Sequence, residues 1–345
     1  MLERDKGVES VQRSHGRGLG GPLAARASAC GKAIIIGEHA VVYGSRAIAI
    51  PLEDLRMAVE LKPTPTFDGS TGIQLKLGGK AVSSHLRGVV SDAFKLLRVE
   101  PFALSVDGHS HLPIGAGLGS SATLCVAILR ALAGSLGRSI EPNELARFAN
   151  ILEARFHGNP SGLDTAVVAH EAPIVFARGA PARPLKIAPP RSADHWSFAL
   201  IDSGVRASTL AMVHLASPYF AGAVGERRVA RFDTLAQALM DGLGSGDLVT
   251  VAAAMDESSE YLAAAGVVTD DLRSIMSAAR DRGVLAAKPT GAGGGGVILA
   301  LLDPGQPAAQ LEALREYFGP NRVLKTNLGA QLGTDSLPVE EFYQS

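Results

Sequence analysis

The chain has 345 residues, enough for two domains or one large one. Hydrophobic residues make up 46%, which excludes wholesale disorder, and 33 Lys+Arg against 34 Asp+Glu leave a net charge of -1, so no basic surplus points to nucleic acid or an anionic membrane. No uncharged apolar run reaches the ~18 residues of a membrane span, and two cysteines, Cys30 and Cys125, are too few for a disulfide framework, which makes a reducing cytoplasm the expected compartment.

Residues 1–26 show no apolar period and lack the apolar core of a signal peptide, so they read as a disordered extension. Short apolar runs follow at Ala33–Ile36 and Ala47–Ile50. Leu55–Lys62 alternates like a half-buried strand and ends before Pro63 and Pro65. Leu86, Val90, Ala93 and Leu97 give helical spacing over Val82–Arg98, and Phe102–Val106 reads as a strand. Ser120–Leu136 is apolar nearly all round, as a deeply buried helix is. Asn143–Phe156 carries Leu145, Phe148 and Leu152 on one stripe, with Pro142 and Gly158 at its ends. A proline-rich stretch, 180–192, marks a boundary. Beyond it come a strand (Trp196–Ile201), helix-rich segments (207–243 and 246–265), a helix (Leu272–Arg282), a strand (Val297–Leu302), a helix (Ala309–Phe318) and a last strand (Arg322–Leu328). The expected class is α+β with two domains, 27–190 and 191–340.

Three glycine clusters carry the chemistry. In Cys30–Gly44, a strand with Lys32 at its start turns at Gly37 to present Glu38 and His39. It is not a Walker A loop, because Arg26 stands where the first glycine belongs and Ala33 where Ser or Thr belongs. Taken singly, these residues also fit a strand and a solvated turn. In the second cluster, Gly115, Gly117 and Gly119 let the backbone curl around a ligand, and Ser120 and Ser121 open the buried helix. Unpaired N–H groups and the positive helix end make that loop an anion site.

The third cluster, Lys288–Leu299, spells G-x-G-x-x-G at Gly291, Gly293 and Gly296, but the dinucleotide fingerprint must follow a strand and open a helix. Here a strand follows, so the tract reads as a ligand-facing loop between a helix and a strand. A fourth stretch holds Glu153 and then His157-Gly-Asn-Pro-Ser-Gly-Leu-Asp164. Without a partner, Glu153 reads as a solvated helical residue and Asp164 as a first-turn acid. No HExxH or CxxC metal signature is present.

As a set, these motifs resemble the GHMP kinases over about residues 28–335, most closely the mevalonate kinases. Gly31–Gly44 is similar to their first motif, His157–Asp164 to the segment that holds their aspartate, and Leu324–Ala330 to their C-terminal strand. The resemblance implies an α+β GHMP kinase fold, with an N-terminal domain like ribosomal protein S5 domain 2 that binds ATP, and a ferredoxin-like C-terminal domain. It implies that Asp164 is the catalytic base and Lys32 its cationic partner. Gly115, Ala116, Gly117, Leu118, Gly119, Ser120 and Ser121 are expected to hold the ATP phosphates, and Ser121 and Glu153 to hold Mg2+. Glu38 and His39 are expected at the mevalonate pocket, with Thr209 near it and Arg178 as a candidate for the substrate carboxylate. Arg206 lies three residues before Thr209 rather than the family's two, and Cys30 replaces a common proline. The expected reaction is phosphorylation of the 5-hydroxyl of (R)-mevalonate, without nucleic acid or membrane partners and with a homodimer as the assembly to test. The alternatives are another small alcohol, such as phosphomevalonate or a sugar, and a non-catalytic metabolite sensor.

The chemistry suits the residues independently. Phosphoryl transfer is mostly positioning and charge neutralisation. A hydroxyl and a carboxylate are hard oxygen ligands for magnesium, and an alcohol acceptor needs a base with a cation beside it.

Overall fold

The computed structural model describes residues 22–65, 72–81, 84–113 and 115–329. In chain order its elements are β1 (Ala25–Ile36), β2 (Ala47–Pro63), β3 (Ile73–Leu77), β4 (Lys80–Ala81), α1 (Ser84–Leu96), β5 (Leu104–Ser110), α2 (Ser120–Ser135), α3 (Pro142–His157), α4 (Leu163–His170), β6 (Ile174–Phe176) and β7 (Arg183–Pro184). There follow β8 (His195–Asp202), α5 (Thr209–Ala216), α6 (Gly222–Ser245), α7 (Leu248–Ala264), α8 (Asp270–Arg280), β9 (Ala286–Thr290), β10 (Val297–Leu301), α9 (Pro307–Phe318) and β11 (Val323–Gly329).

The first sheet is organised by β2. It pairs antiparallel with β1 along one edge, and on the other with β5 through its C-terminal half and with β6 through its N-terminal half. The apolar circumference of α2 is explained by its surroundings: it packs against β1, β2, α3 and α4, and twelve of its residues are buried. α3 starts with Pro142, where a missing N–H costs nothing, and stops at Gly158 with positive φ.

The second sheet has the order β11-β8-β10-β9, all antiparallel. In order along the chain this is 4-1-3-2, the ferredoxin-like arrangement. β8 and β10 are its central strands and are almost wholly buried, which accounts for their unbroken apolar runs.

Several expectations are corrected. β1 begins at Ala25, inside the stretch read as a tail, and residues 1–21 lie outside the described residues. Ala47–Ile50 and Leu55–Lys62 belong to one strand, β2. The register against β1 shifts between Cys30 and Gly31, where Cys30 faces Arg56 but Gly31 faces Leu52. The bulged residues, Glu53 among them, interrupt the apolar pattern and make one strand look like two. β3 and β6 carry too few residues to announce themselves. β9 was not expected, so the third glycine tract joins two strands of a hairpin rather than a helix and a strand.

The two sheets are joined by specific bonds. The backbone N–H of Ile34 on β1 donates to Thr290 Oγ1 on β9 at 2.7 Å. Arg46, just before β2, donates Nε and Nη2 to the two carboxylate oxygens of Asp233 on α6, both at 2.7 Å, and Nη1 to Gln237 Oε1. Among the described residues no helix is long and apolar enough to cross a membrane.

Candidate active site

β1 delivers Lys32 into the interior, where only 2% of the residue remains exposed. Its Nζ donates to Gly117 O at 3.0 Å and lies 3.1 Å from Asp164 Oδ1. Asp164 reaches that position because Gly162, with positive φ, reverses the chain and places the aspartate in the first turn of α4. The Asp164 side chain stays 31% exposed, so the buried cation is paired with a carboxylate that an incoming molecule can reach. The reading of Asp164 as a mere first-turn acid is incomplete, because its carboxylate is tied to a lysine 132 positions away in sequence.

The second glycine cluster runs beside this pair. Lys32 N–H donates to Leu118 O at 3.0 Å, which seats the loop on β1. No side chain caps α2, so its first-turn N–H groups remain for an anion. Gly115–Ser121 therefore has the form of a phosphate cradle next to Lys32 and Asp164.

Ser121 Oγ donates to Glu153 Oε1 at 2.9 Å and lies 3.1 Å from His157 Nε2. Glu153 is not on a solvated helix face: it is 2% exposed. Burial, and then the charge of Asp164, push its carboxyl up to about 8, against the pull of the Ser121 hydrogen bond and Lys32. A buried carboxylate so disfavoured as an anion, with a hydroxyl beside it, fits a hard divalent cation that would supply the missing charge. Among the described residues no group of three or more His, Cys, Asp or Glu could hold a metal. Two protein ligands are the usual complement for Mg2+, which keeps phosphate and water oxygens in its shell.

Glu38 and His39 are also interior residues, 2% and 7% exposed. Glu38 Oε1 is held by Lys288 Nζ, which also donates to Pro289 O at 2.6 Å. Lys288 is fully buried on β9. Burial pushes the Glu38 carboxyl up and the Lys288 ammonium down, while their pairing opposes both shifts. His39 Nε2 lies 2.9 Å from Ala292 O in the β9–β10 loop, and burial lowers its affinity for a proton.

That loop also braces the phosphate cradle. Gly296 has φ +79°, and a Cβ there would lie 2.8 Å from Ala116 O. Gly293 has φ +81°, and a Cβ there would lie 2.5 Å from Val267 O. The loop is thus glycine-rich because it is pressed between the cradle and the end of the α7 region.

Thr209 is the exposed first residue of α5, one position after the capping Ser208. Arg206 makes a bidentate pair with Asp202, both bonds 2.7 Å, and its Cδ lies 3.5 Å from the Cβ position of Gly115. Arg178 is exposed, and its Nη2 reaches Asn159 Oδ1 at 3.5 Å rather than any residue of the cluster. The structure therefore joins Lys32, Gly115–Ser121, Glu153 and Asp164 into one site, with Glu38 and His39 next to it, and leaves Arg178 outside these contacts. Sequence reasoning missed Lys288, His157, Thr290 and Ala292. The available signal was a lysine three residues before a glycine tract, at the end of an apolar run.

A model of the GHMP kinases N terminal domain matches residues 85–172, and one of the GHMP kinases C terminal region matches 239–319. The mevalonate kinase of Aeropyrum pernix is 30% identical over 316 residues, covering 85% of this chain and 93% of that relative. Among solved structures, the mevalonate kinase of methicillin-resistant Staphylococcus aureus is 29% identical with a TM-score of 0.66, covering 89% of this chain and 99% of the other. The L. major mevalonate kinase in complex with R-mevalonate superposes with a TM-score of 0.75 at 22% identity, covering 91% and 98%. The fold and the site together define a kinase of the GHMP class, and at this identity and coverage the chain belongs, within that class, to the mevalonate kinase family.

Proposed function

We propose that the protein transfers the γ-phosphoryl group of ATP to the 5-hydroxyl of (R)-mevalonate, an early step of isoprenoid synthesis. The observation that carries this reading is the pair of Lys32 and Asp164, 3.1 Å apart, beside a glycine cradle at the start of a helix. In this reading Asp164 accepts the proton of the acceptor hydroxyl, and Lys32 stabilises the charge spread over the transferring phosphoryl oxygens. Backbone N–H groups of Gly115–Ser121 bind the ATP phosphates. Ser121 and Glu153 would hold Mg2+, which neutralises phosphate charge when bound. Glu38 and His39 line the mevalonate side, with Thr209 at its edge.

Arg178 is retained as a carboxylate ligand only if it leaves Asn159. Residues 27–190 are taken as the ATP-binding domain and 191–340 as the C-terminal domain. Two free, buried cysteines suit a cytoplasmic enzyme, and a homodimer is the assembly to test by sedimentation.

The deciding experiment couples ADP release to MgATP with mevalonate, 5-phosphomevalonate, galactose or homoserine. Turnover of roughly 1–100 per second with mevalonate alone is expected. Turnover with another acceptor overturns the substrate while leaving the phosphate site in place.

A further inference from the structure

Ser121, in the first turn of α2, meets two residues of α3. Its Oγ donates to Glu153 Oε1 at 2.9 Å and lies 3.1 Å from His157 Nε2, and it has no third hydrogen-bond partner among the described residues. Glu153 and His157 are four positions apart, so they stand on one face of the helix, with Nε2 3.9 Å from Oε1. The two differ in access. The Glu153 side chain is 3% exposed and is fixed by packing. That of His157 is 39% exposed, and its ring has no hydrogen bond but the one to Ser121 among the described residues.

A serine hydroxyl has one proton and two lone pairs. Here the proton is given to Glu153 Oε1. That bond occupies the groups a hard cation would take, because it sets the hydroxyl hydrogen and the carboxylate oxygen against each other. For Ser121 and Glu153 to face one cation together, the Ser121 proton has to turn to another acceptor. The acceptor in reach is His157 Nε2. An imidazole that carries its proton on Nδ1 presents Nε2 as an acceptor.

We propose that His157 is a positioning residue: its Nε2 accepts the hydrogen bond of the Ser121 hydroxyl, which frees the Ser121 oxygen and the Glu153 carboxylate to face a divalent cation together. This rests on the reading of Ser121 and Glu153 as the Mg2+ ligands. The lone pair of Nε2 is used on the serine proton, so His157 is not itself a ligand. Outer partners that orient metal ligands in this way typically contribute about 10–100-fold in metal affinity.

The test uses Mn2+, which takes the same oxygen ligands as Mg2+, and the non-hydrolysable β,γ-imido analogue of ATP. Calorimetry reads the Kd of the analogue with Mn2+ and with EDTA, in the absence of an acceptor. The wild-type enzyme is expected to bind the analogue at least about ten-fold more tightly with Mn2+. His157→Leu should cut that factor by about ten-fold, while the Kd in EDTA changes by less than about two-fold. His157→Gln, whose amide oxygen reaches the place of Nε2, should restore the factor, and His157→Asn, one bond shorter, should not. The ring is more than a third exposed, so each variant should melt as the wild type does. A histidine that only supports the end of α3 would move both dissociation constants together, and Gln would serve no better than Asn. An unchanged factor in His157→Leu, or no difference between Gln and Asn, overturns this proposal alone. A wild type that binds the analogue no better with Mn2+ overturns Ser121 and Glu153 as the cation ligands and this proposal with them.

Discussion

Asp164 and Lys32 illustrate how one carboxylate acquires a task. Asp164 is partly exposed, and its carboxylate lies 3.1 Å from the buried Lys32 ammonium, whose charge also acts on Glu153. Replacing Asp164 with Asn keeps the shape and removes the proposed base. Turnover should fall by about 10²–10⁴-fold, while the KM for ATP stays within about two-fold, as steady-state kinetics would show. Cys30 makes the opposite case of a reactive type made inert. Burial, followed by the charge of Glu171, pushes its thiol up to about 12, and burial also raises Cys125 well above its ordinary value. At pH 8 the Cys30 thiolate is therefore about one part in ten thousand, so a disulfide reagent should label neither cysteine in the native protein and both in guanidinium. Rapid native labelling would show that this region of β1 opens.

At the scale of elements, the β9–β10 hairpin ties the Gly115–Ser121 loop to Glu38 and His39. Gly296→Ala places a Cβ 2.8 Å from Ala116 O at a positive φ. The variant should lose about 1–3 kcal/mol of stability and raise the KM for ATP by about an order of magnitude, read by thermal unfolding and kinetics. An unchanged KM would mean that the cradle is not braced by this loop. The same hairpin shows where the sequence was opaque. The helices α2 and α3 were legible because their apolar periods and end residues are local, and Lys32, Ser121, Glu153 and Asp164 were legible because they stand in dense motifs. β9 was not. A strand holding Lys288 and Pro289 looks like a loop until its position is known. It is an edge strand of the second sheet, where proline's missing donor is tolerated, and Lys288 is neutralised by Glu38, 250 positions earlier. The burial of Glu153 escaped the sequence for the same reason: it depends on how α3 packs against α2, a non-local fact.

For the whole molecule, the contacts between the two sheets decide how far they act as one body. Arg46 and Asp233 are the clearest polar link, with the aspartate side chain 41% exposed. The Arg46 hydrogen bonds hold the Asp233 carboxyl below its ordinary value of 3.8. A depressed carboxyl stabilises the fold above its unfolded value and ceases to do so as the pH falls through the folded one. Asp233→Ala should thus lower the Tm by about 1–3 °C at neutral pH, and the gap should close below pH 3.8. A gap independent of pH would assign the effect to packing instead. The fit at Gly293 has a consequence for inheritance. Any single-base missense change in a glycine codon installs a side chain with a Cβ, and at this position that atom meets Val267 O at 2.5 Å. Codon 293 thus has no conservative neighbours: third-base changes pass silently, and each missense allele is a defective one.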